Sequence, residues 1–166
     1  MFQLLDATTT DQLDGARMLF QEYEKGLGIS LCFQNFSEEL KNLPGEYANP
    51  QGSLLIAYSD GELAGCCALR PLSVPNYPKA AEMKRLFVRP AYRGKGIARK
   101  LVYEILRIAR AREYDYVVLD TLNTMKEAQA LYVLIGFRDI PPYYENPIEG
   151  ARYMMLDLRQ ASLIDH

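Results

Sequence analysis

Histidine occurs once in the 166 residues, at the last position as His166, and tryptophan is absent. Without a second imidazole, a Ser/His or Cys/His nucleophile and a histidine-held metal have no material to work with, so no metal is expected. Cysteine is almost as scarce. Cys32 and the adjacent pair Cys66 and Cys67 suit a reducing compartment better than a disulfide framework. No apolar run approaches the ~20 residues that span a bilayer. Met1 to Thr10 has neither the basic region nor the apolar core of a secretory signal. A cytoplasmic chain with no membrane partner is expected. A charge excess is missing too: 19 Lys and Arg against 21 Asp and Glu leave a net charge of −2, which argues against bulk nucleic-acid binding. An apolar share of 49% excludes disorder, and the length suits one domain over residues 1–166 with a sizeable core.

Two familiar phosphate loops are also missing. A dinucleotide fingerprint needs a third glycine where Arg99 stands, and no Gly-Lys is followed by Ser or Thr at P-loop spacing. What is present is Arg93-Gly94-Lys95-Gly96-Ile97-Ala98, between an apolar run ending at Val88 and a segment whose Ile97, Leu101, Ile105 and Ile108 recur at helical intervals. Glycines at a strand-to-helix joint let main-chain amides approach a ligand, and the helix start adds unpaired N–H groups and a partial positive charge. Arg93, Lys95, Arg99 and Lys100 crowd that start, with no acid before Glu104. Cations there oppose the helix dipole unless an anion lies among them. The same charges also read as a solvated basic face.

Elsewhere the pattern predicts a first strand over Phe2 to Leu5, then a helix capped at Thr10-Asp11 and ending at Gly26 or Gly28. A loop and short helix follow over Phe33 to Leu43, capped at Ser37. Strands are expected over Ser53 to Tyr58 and Leu63 to Leu69 around the hairpin signal Asp60-Gly61. Pro71 to Lys79 reads as a proline-rich loop and Ala80 to Val88 as the central strand. Tyr116 to Asp120 reads as a buried strand, and Thr124 with Glu127 as a capping box opening a helix that stops at Gly136. A loop over Pro141 to Pro147 precedes a last strand, Ala151 to Leu158.

The hexapeptide Arg93 to Ala98 reads R-x-x-G-x-A, and Ala128 to Phe137 reads A-x-x-L-Y-x-x-x-G-F. Together with Glu82 to Pro90 and Tyr143 to Leu158, these strings resemble a bacterial-type branch of the GNAT superfamily of N-acetyltransferases, most closely from about Gly61 to Leu158. The resemblance implies an α/β fold with a mixed, mostly antiparallel central sheet flanked by helices on both faces. It implies acetyl-CoA as cosubstrate and transfer of its acetyl group to a primary amine by direct attack. The acceptor is expected to be a small molecule, with a peptide amine as an alternative, and the chain a monomer or homodimer. A non-catalytic acyl-CoA-binding or sensing module is the other reading.

In family terms the diphosphate would rest on amides from Arg93, Gly94, Lys95, Gly96, Ile97 and Ala98, and the pantetheine arm on the backbone of Leu86, Phe87 and Val88. Asn123 is the side chain expected to bond that arm, although it is equally a turn residue. Arg99 and Lys100 are candidates for the adenosine phosphate or for plain surface. An amine with pKa about 10.4 is neutral in only about one molecule in 10³ at pH 7, so a base is wanted. Glu82 occupies a position resembling the glutamate base of some members; it is otherwise a strand-edge charge paired with Lys84 or Arg85. Tyr132 stands where the family places the tyrosine facing the sulfur, or else is a core tyrosine. Tyr77, Arg70, Phe33, Tyr143 and Tyr144 are candidate walls for the acceptor, and Arg70 would suit a carboxylate on it.

Overall fold

Successive strand residues point to opposite faces of a sheet, yet Leu54, Leu55, Ile56 and Ala57 are all apolar and all buried. Such a segment requires cover on both sides. The computed structural model, which describes residues 1–163 and so leaves His166 outside the described residues, provides that cover. Leu54 and Ile56 pack with Leu19 and Phe20, while Leu55 and Ala57 pack with Leu101 and Ile105. Cys66 and Cys67 divide in the same way between the two clusters. The adjacent thiols are free because they face opposite layers.

The strands are β1 (Phe2–Asp6), β2 (Ser53–Ser59), β3 (Glu62–Val74), β4 (Tyr77–Val88), β5 (Tyr116–Thr121), β6 (Arg138–Asp139) and β7 (Arg152–Asp157). They form one sheet in the order β1-β2-β3-β4-β5-β7-β6. Every pairing is antiparallel except β4 with β5. Helices α1 (Thr10–Leu27) and α2 (Phe36–Lys41) cover one face, and α3 (Ile97–Ala111) and α4 (Lys126–Ile135) the other. The expected mixed, mostly antiparallel sheet with helices on both faces is what the chain adopts, and β4 is its middle strand.

Several local expectations change. Pro71 to Lys79 is no loop: β3 runs to Val74 and β4 begins at Tyr77, with Asn76 turning the hairpin at φ 71°. Pro71 lies past the last β2 partner, Leu69, and Pro78 lies before the first β5 partner, Ala80. Each proline therefore sits where one strand edge has no ladder to break. The cap of α1 is Thr9 rather than Thr10; its hydroxyl accepts from Gln12 N at 3.2 Å while the Gln12 side chain accepts from Thr9 N at 3.1 Å. Gly28 ends that helix. Neither Ser37 nor Thr124 caps a helix. Asn35 precedes α2 and Met125 precedes α4, and neither makes a side-chain cap bond. The short strand β6 was not foreseen.

The middle of β4 carries an extra residue. Cys66 pairs with Phe87 but Ala68 with Lys84, and Arg85 takes the left-handed φ of 62°. This bulge turns Arg85 to the same side as Lys84, toward α2. There the buried Arg85 guanidinium donates to both oxygens of Glu39, each at 2.9 Å, and lies 5.0 Å from the Phe36 ring centroid. Removing one partner of such a pair leaves a buried charge uncompensated. Glu39→Ala should therefore lower unfolding free energy by about 3–5 kcal/mol in urea denaturation; a loss below about 1 kcal/mol would contradict this role for the pair.

Candidate active site

Strands β4 and β5 pair over three positions only, Ala80 with Tyr116, Ala81 with Val117 and Glu82 with Val118. Past that point β4 continues to Val88 and β5 to Thr121 with no ladder between them. The strands part like a V, and their facing backbone edges need other partners. A chain of three cavities follows the opening. A groove of about 720 Å³ lies between the end of β4, the start of α3 and the start of α4. A narrow central cavity of about 40 Å³ lies between Met83 to Leu86 on one side and Leu119 to Leu122 on the other. A third cavity, about 530 Å³, lies between β4 and α2. Tyr23, Leu27, Leu86 and Met125 wall both the groove and the central cavity. Phe33, Gln34 and Lys84 wall both the central and the third cavity.

The groove has the features of an anion site. Gly94 and Gly96 take φ of 77° and 78°, and nothing lies within 4 Å of where their Cβ atoms would be. The requirement for glycine there is one of conformation. Gly96 stands at the N-cap of α3 with no side-chain cap, and the first turn holds no acid, so its amides are open to a guest. Arg93 Nε donates to Val88 O at 2.9 Å, which ties the loop to the end of β4. Of the residues expected to hold the coenzyme, Leu86, Phe87, Val88, Arg93, Gly94, Gly96, Ile97 and Ala98 line this groove together. Lys95 and Asn123 are not on its wall. The Lys95 ammonium lies 5.5 Å from the Tyr92 ring centroid. Asn123 is exposed and packs against Gly150, where a Cβ would come within 2.6 Å of its amide nitrogen.

Tyr132 projects from α4 onto the wall of the central cavity and is almost fully buried. Burial, reinforced by Cys67, Tyr23 and Asp120, holds its phenol well above the ordinary tyrosine value, so it keeps its proton. Burial has the same effect on the Cys66 and Cys67 thiols. Tyr23, across the cavity, is pushed up to about 12 by burial against the opposing pull of Arg85.

Glu82 lines the third cavity and is buried. Its partner is neither Lys84 nor Arg85 but Arg70 on the neighbouring strand, whose Nε donates to Oε1 at 2.8 Å; Tyr143 OH donates to Oε2 at 2.6 Å. Arg70 also pairs with Glu46, so it is not open to a ligand carboxylate. Lys84 is pushed down to about 8 by burial and by the nearby Arg85. Among the polar residues on these walls, Gln34, Lys84, Asp120 and Asn146 had no site role in the sequence reading. Asp120 carried a usable signal, since it is the charge at the end of the apolar run Val117-Val118-Leu119. Gln34 and Asn146 lie in loops with no such contrast.

Comparison with known proteins identifies the family. Residues 17–137 match the model of the acetyltransferase (GNAT) family. An uncharacterised N-acetyltransferase of Schizosaccharomyces pombe is 42% identical over 147 residues, which cover 88% of each chain. A GNAT-family acetyltransferase from Staphylococcus aureus shares the fold with a TM-score of 0.77 at 20% identity, over 95% of this chain and 99% of that one. The PaiA N-acetyltransferase of Thermoplasma acidophilum, solved in complex with coenzyme A, aligns with a TM-score of 0.68 at 19% identity, over 95% and 99%. With four of its seven strands and its glycine loop inside the matched region, the chain belongs to the GNAT family of acetyltransferases, acyltransferases whose donor is acetyl-CoA.

Proposed function

We propose that this chain moves the acetyl group of acetyl-CoA to the primary amine of a small molecule by direct attack, within a single domain. One observation carries the reading: two cavities large enough for ligands flank a small central one at the parting of β4 and β5, and each shares wall residues with it. The groove beside the glycine loop takes the donor and the cavity beside α2 takes the acceptor. They meet at the central cavity, beside Tyr132.

Open amides at the start of α3 fit a diphosphate, and the unladdered edge of β4 from Leu86 to Val88 fits the amide groups of a pantetheine arm. The thioester supplies an activated carbonyl and a sulfur leaving group. The chain's residues supply position and protons. An acceptor amine arrives mostly as ammonium, and Glu82 takes one of its protons, which then passes to solvent. The neutral nitrogen forms a bond to the carbonyl carbon as the carbon–sulfur bond breaks. Tyr132 gives its proton to the departing sulfur and regains one from the newly acylated nitrogen, so the net products are an amide, a thiol and one proton.

A phenol held above its usual pKa is a weak acid for a thiolate with a reference value near 8.5. The sulfur, however, departs beside the buried Tyr132, and burial raises a thiol too, as it does the Cys66 and Cys67 thiols in the two core layers. Burial moves donor and recipient in one direction and keeps the transfer feasible.

The direct test is calorimetry with coenzyme A, followed by thiol release with acetyl-CoA and a panel of amines. Binding together with turnover is expected; binding with no turnover on any amine would indicate a sensing module. Tyr132→Phe should lower kcat by about 10²-fold with the dissociation constant for coenzyme A within about twofold; an unchanged kcat would remove the tyrosine from the mechanism. Glu82→Gln should lower kcat/KM by about 10²-fold or more, and an unchanged kcat/KM would assign the base elsewhere. Gly96→Ala forces a side chain into a left-handed φ at about 1–2 kcal/mol, and coenzyme A should bind about tenfold more weakly by calorimetry. Equal affinity would contradict the loop's role.

A further inference from the structure

The charges around the central and third cavities are mostly committed to one another. Arg70 holds Glu46 and Glu82, Arg85 holds Glu39, and Lys41 lies 3.7 Å from Glu38. Among the described residues, two wall charges make no direct ion pair: Asp120 and Lys84, on which Glu82 and Glu39 act only without contact. Both line the central cavity, and they do not pair with each other. Asp120 accepts from Tyr144 OH and, at 3.0 Å, from Asn146 Nδ2. These donors are neutral, so they orient the carboxylate without cancelling its charge.

Gln34 adds a third open group. Tyr144 spends its hydroxyl hydrogen on Asp120, so its oxygen can only accept, and it does so from Gln34 Nε2 at 3.1 Å. That sets the orientation of the amide. Its other end, Oε1, is buried with no hydrogen-bond partner, an arrangement that costs free energy unless a ligand supplies an N–H. Gln34 lines both the central and the third cavity.

A carboxylate and an open carbonyl on the central cavity, with an ammonium on the wall it shares with the third cavity, are complementary to a guest that sits in the third cavity, reaches its own ammonium into the central one and carries both charges. We infer that the acceptor is a zwitterion, an amino acid whose ammonium is received by Asp120 and Gln34 Oε1 and whose carboxylate is received by Lys84. The inference rests on the N-acetyltransferase reading and specifies its substrate class. A polyamine or an aminated sugar would bring a second cation against Lys84, and every other wall carboxylate is already engaged. A peptide amino terminus would place a neutral amide carbonyl where Lys84 wants an anion. Burial and Arg85 push Lys84 down to about 8 even against the pull of Glu82 and Glu39, and a ligand anion in contact with that ammonium would reverse the shift.

The test uses the full chain with acetyl-CoA and follows thiol release on matched sets: a free amino acid, its primary amide, the amine lacking the carboxylate, and a dipeptide beginning with the same residue. The expected result is a kcat/KM for the free amino acid at least tenfold above the other three. Lys84→Met should collapse that ratio toward one through KM, while Lys84→Arg should keep part of it. Calorimetry with coenzyme A on each variant checks that the fold and donor site persist. Equal or better rates on the amide, the simple amine or the dipeptide would overturn the inference, as would a Lys84→Met effect equal on all four. Coenzyme A binding with no amino acid acetylated would overturn it while leaving the family chemistry standing; no heat from coenzyme A would bring down both.

Discussion

The loss of pairing between β4 and β5 after Glu82 and Val118 organises everything around it. The two strands run parallel, which antiparallel neighbours on either side do not require, and they separate while each stays laddered to its other partner. The result is an opening through the middle of the sheet, edged by backbone groups. The groove by the glycine loop, the cavity by α2 and the position of Tyr132 all follow from it. A sheet paired to the end would bury the same apolar side chains and have no site.

Holding such an opening takes structure on both sides. On β4 the bulge at Arg85 shifts the strand by one residue and sends the guanidinium into α2, where Glu39 meets it with both oxygens. On β5 the carboxylate of Asp120 is fixed by Tyr144 and Asn146 from the loop before β7. Polar groups buried in this way are costly unless satisfied. Among the described residues, that pairing leaves Lys84 and Asp120 without a direct ion pair and Gln34 Oε1 without a hydrogen-bond partner.

Local signals in the chain carried far into this structure. The strand, loop and helix from Ala80 to Ala111 follow from apolar period, two glycines and a proline, and that segment supplies half of the residues on the wall of the groove beside the glycine loop. Legibility failed where the outcome depends on distant partners. Pro71 and Pro78 read as loop residues because only the absence of a neighbouring ladder makes them tolerable in strands. Thr124 and Glu127 have the spacing of a capping box, yet the turn before α4 closes through its backbone instead, Met125 N to Leu122 O at 2.9 Å. The charge pattern around the third cavity was the least legible. Whether Arg70 or Lys84 is open to a ligand is decided by Glu46, Glu82 and Glu39, which reach the cavity from separate elements.

The account's central claim is that donor and acceptor meet at the parting of β4 and β5. A crystal structure of the protein with acetyl-CoA tests it most directly. The account predicts the diphosphate on the amides of Gly94 to Ala98, the arm along Leu86 to Val88, and the thioester between β4 and β5 within reach of the Tyr132 hydroxyl. Density for the coenzyme on another face, or a thioester pointing away from that opening, would contradict it.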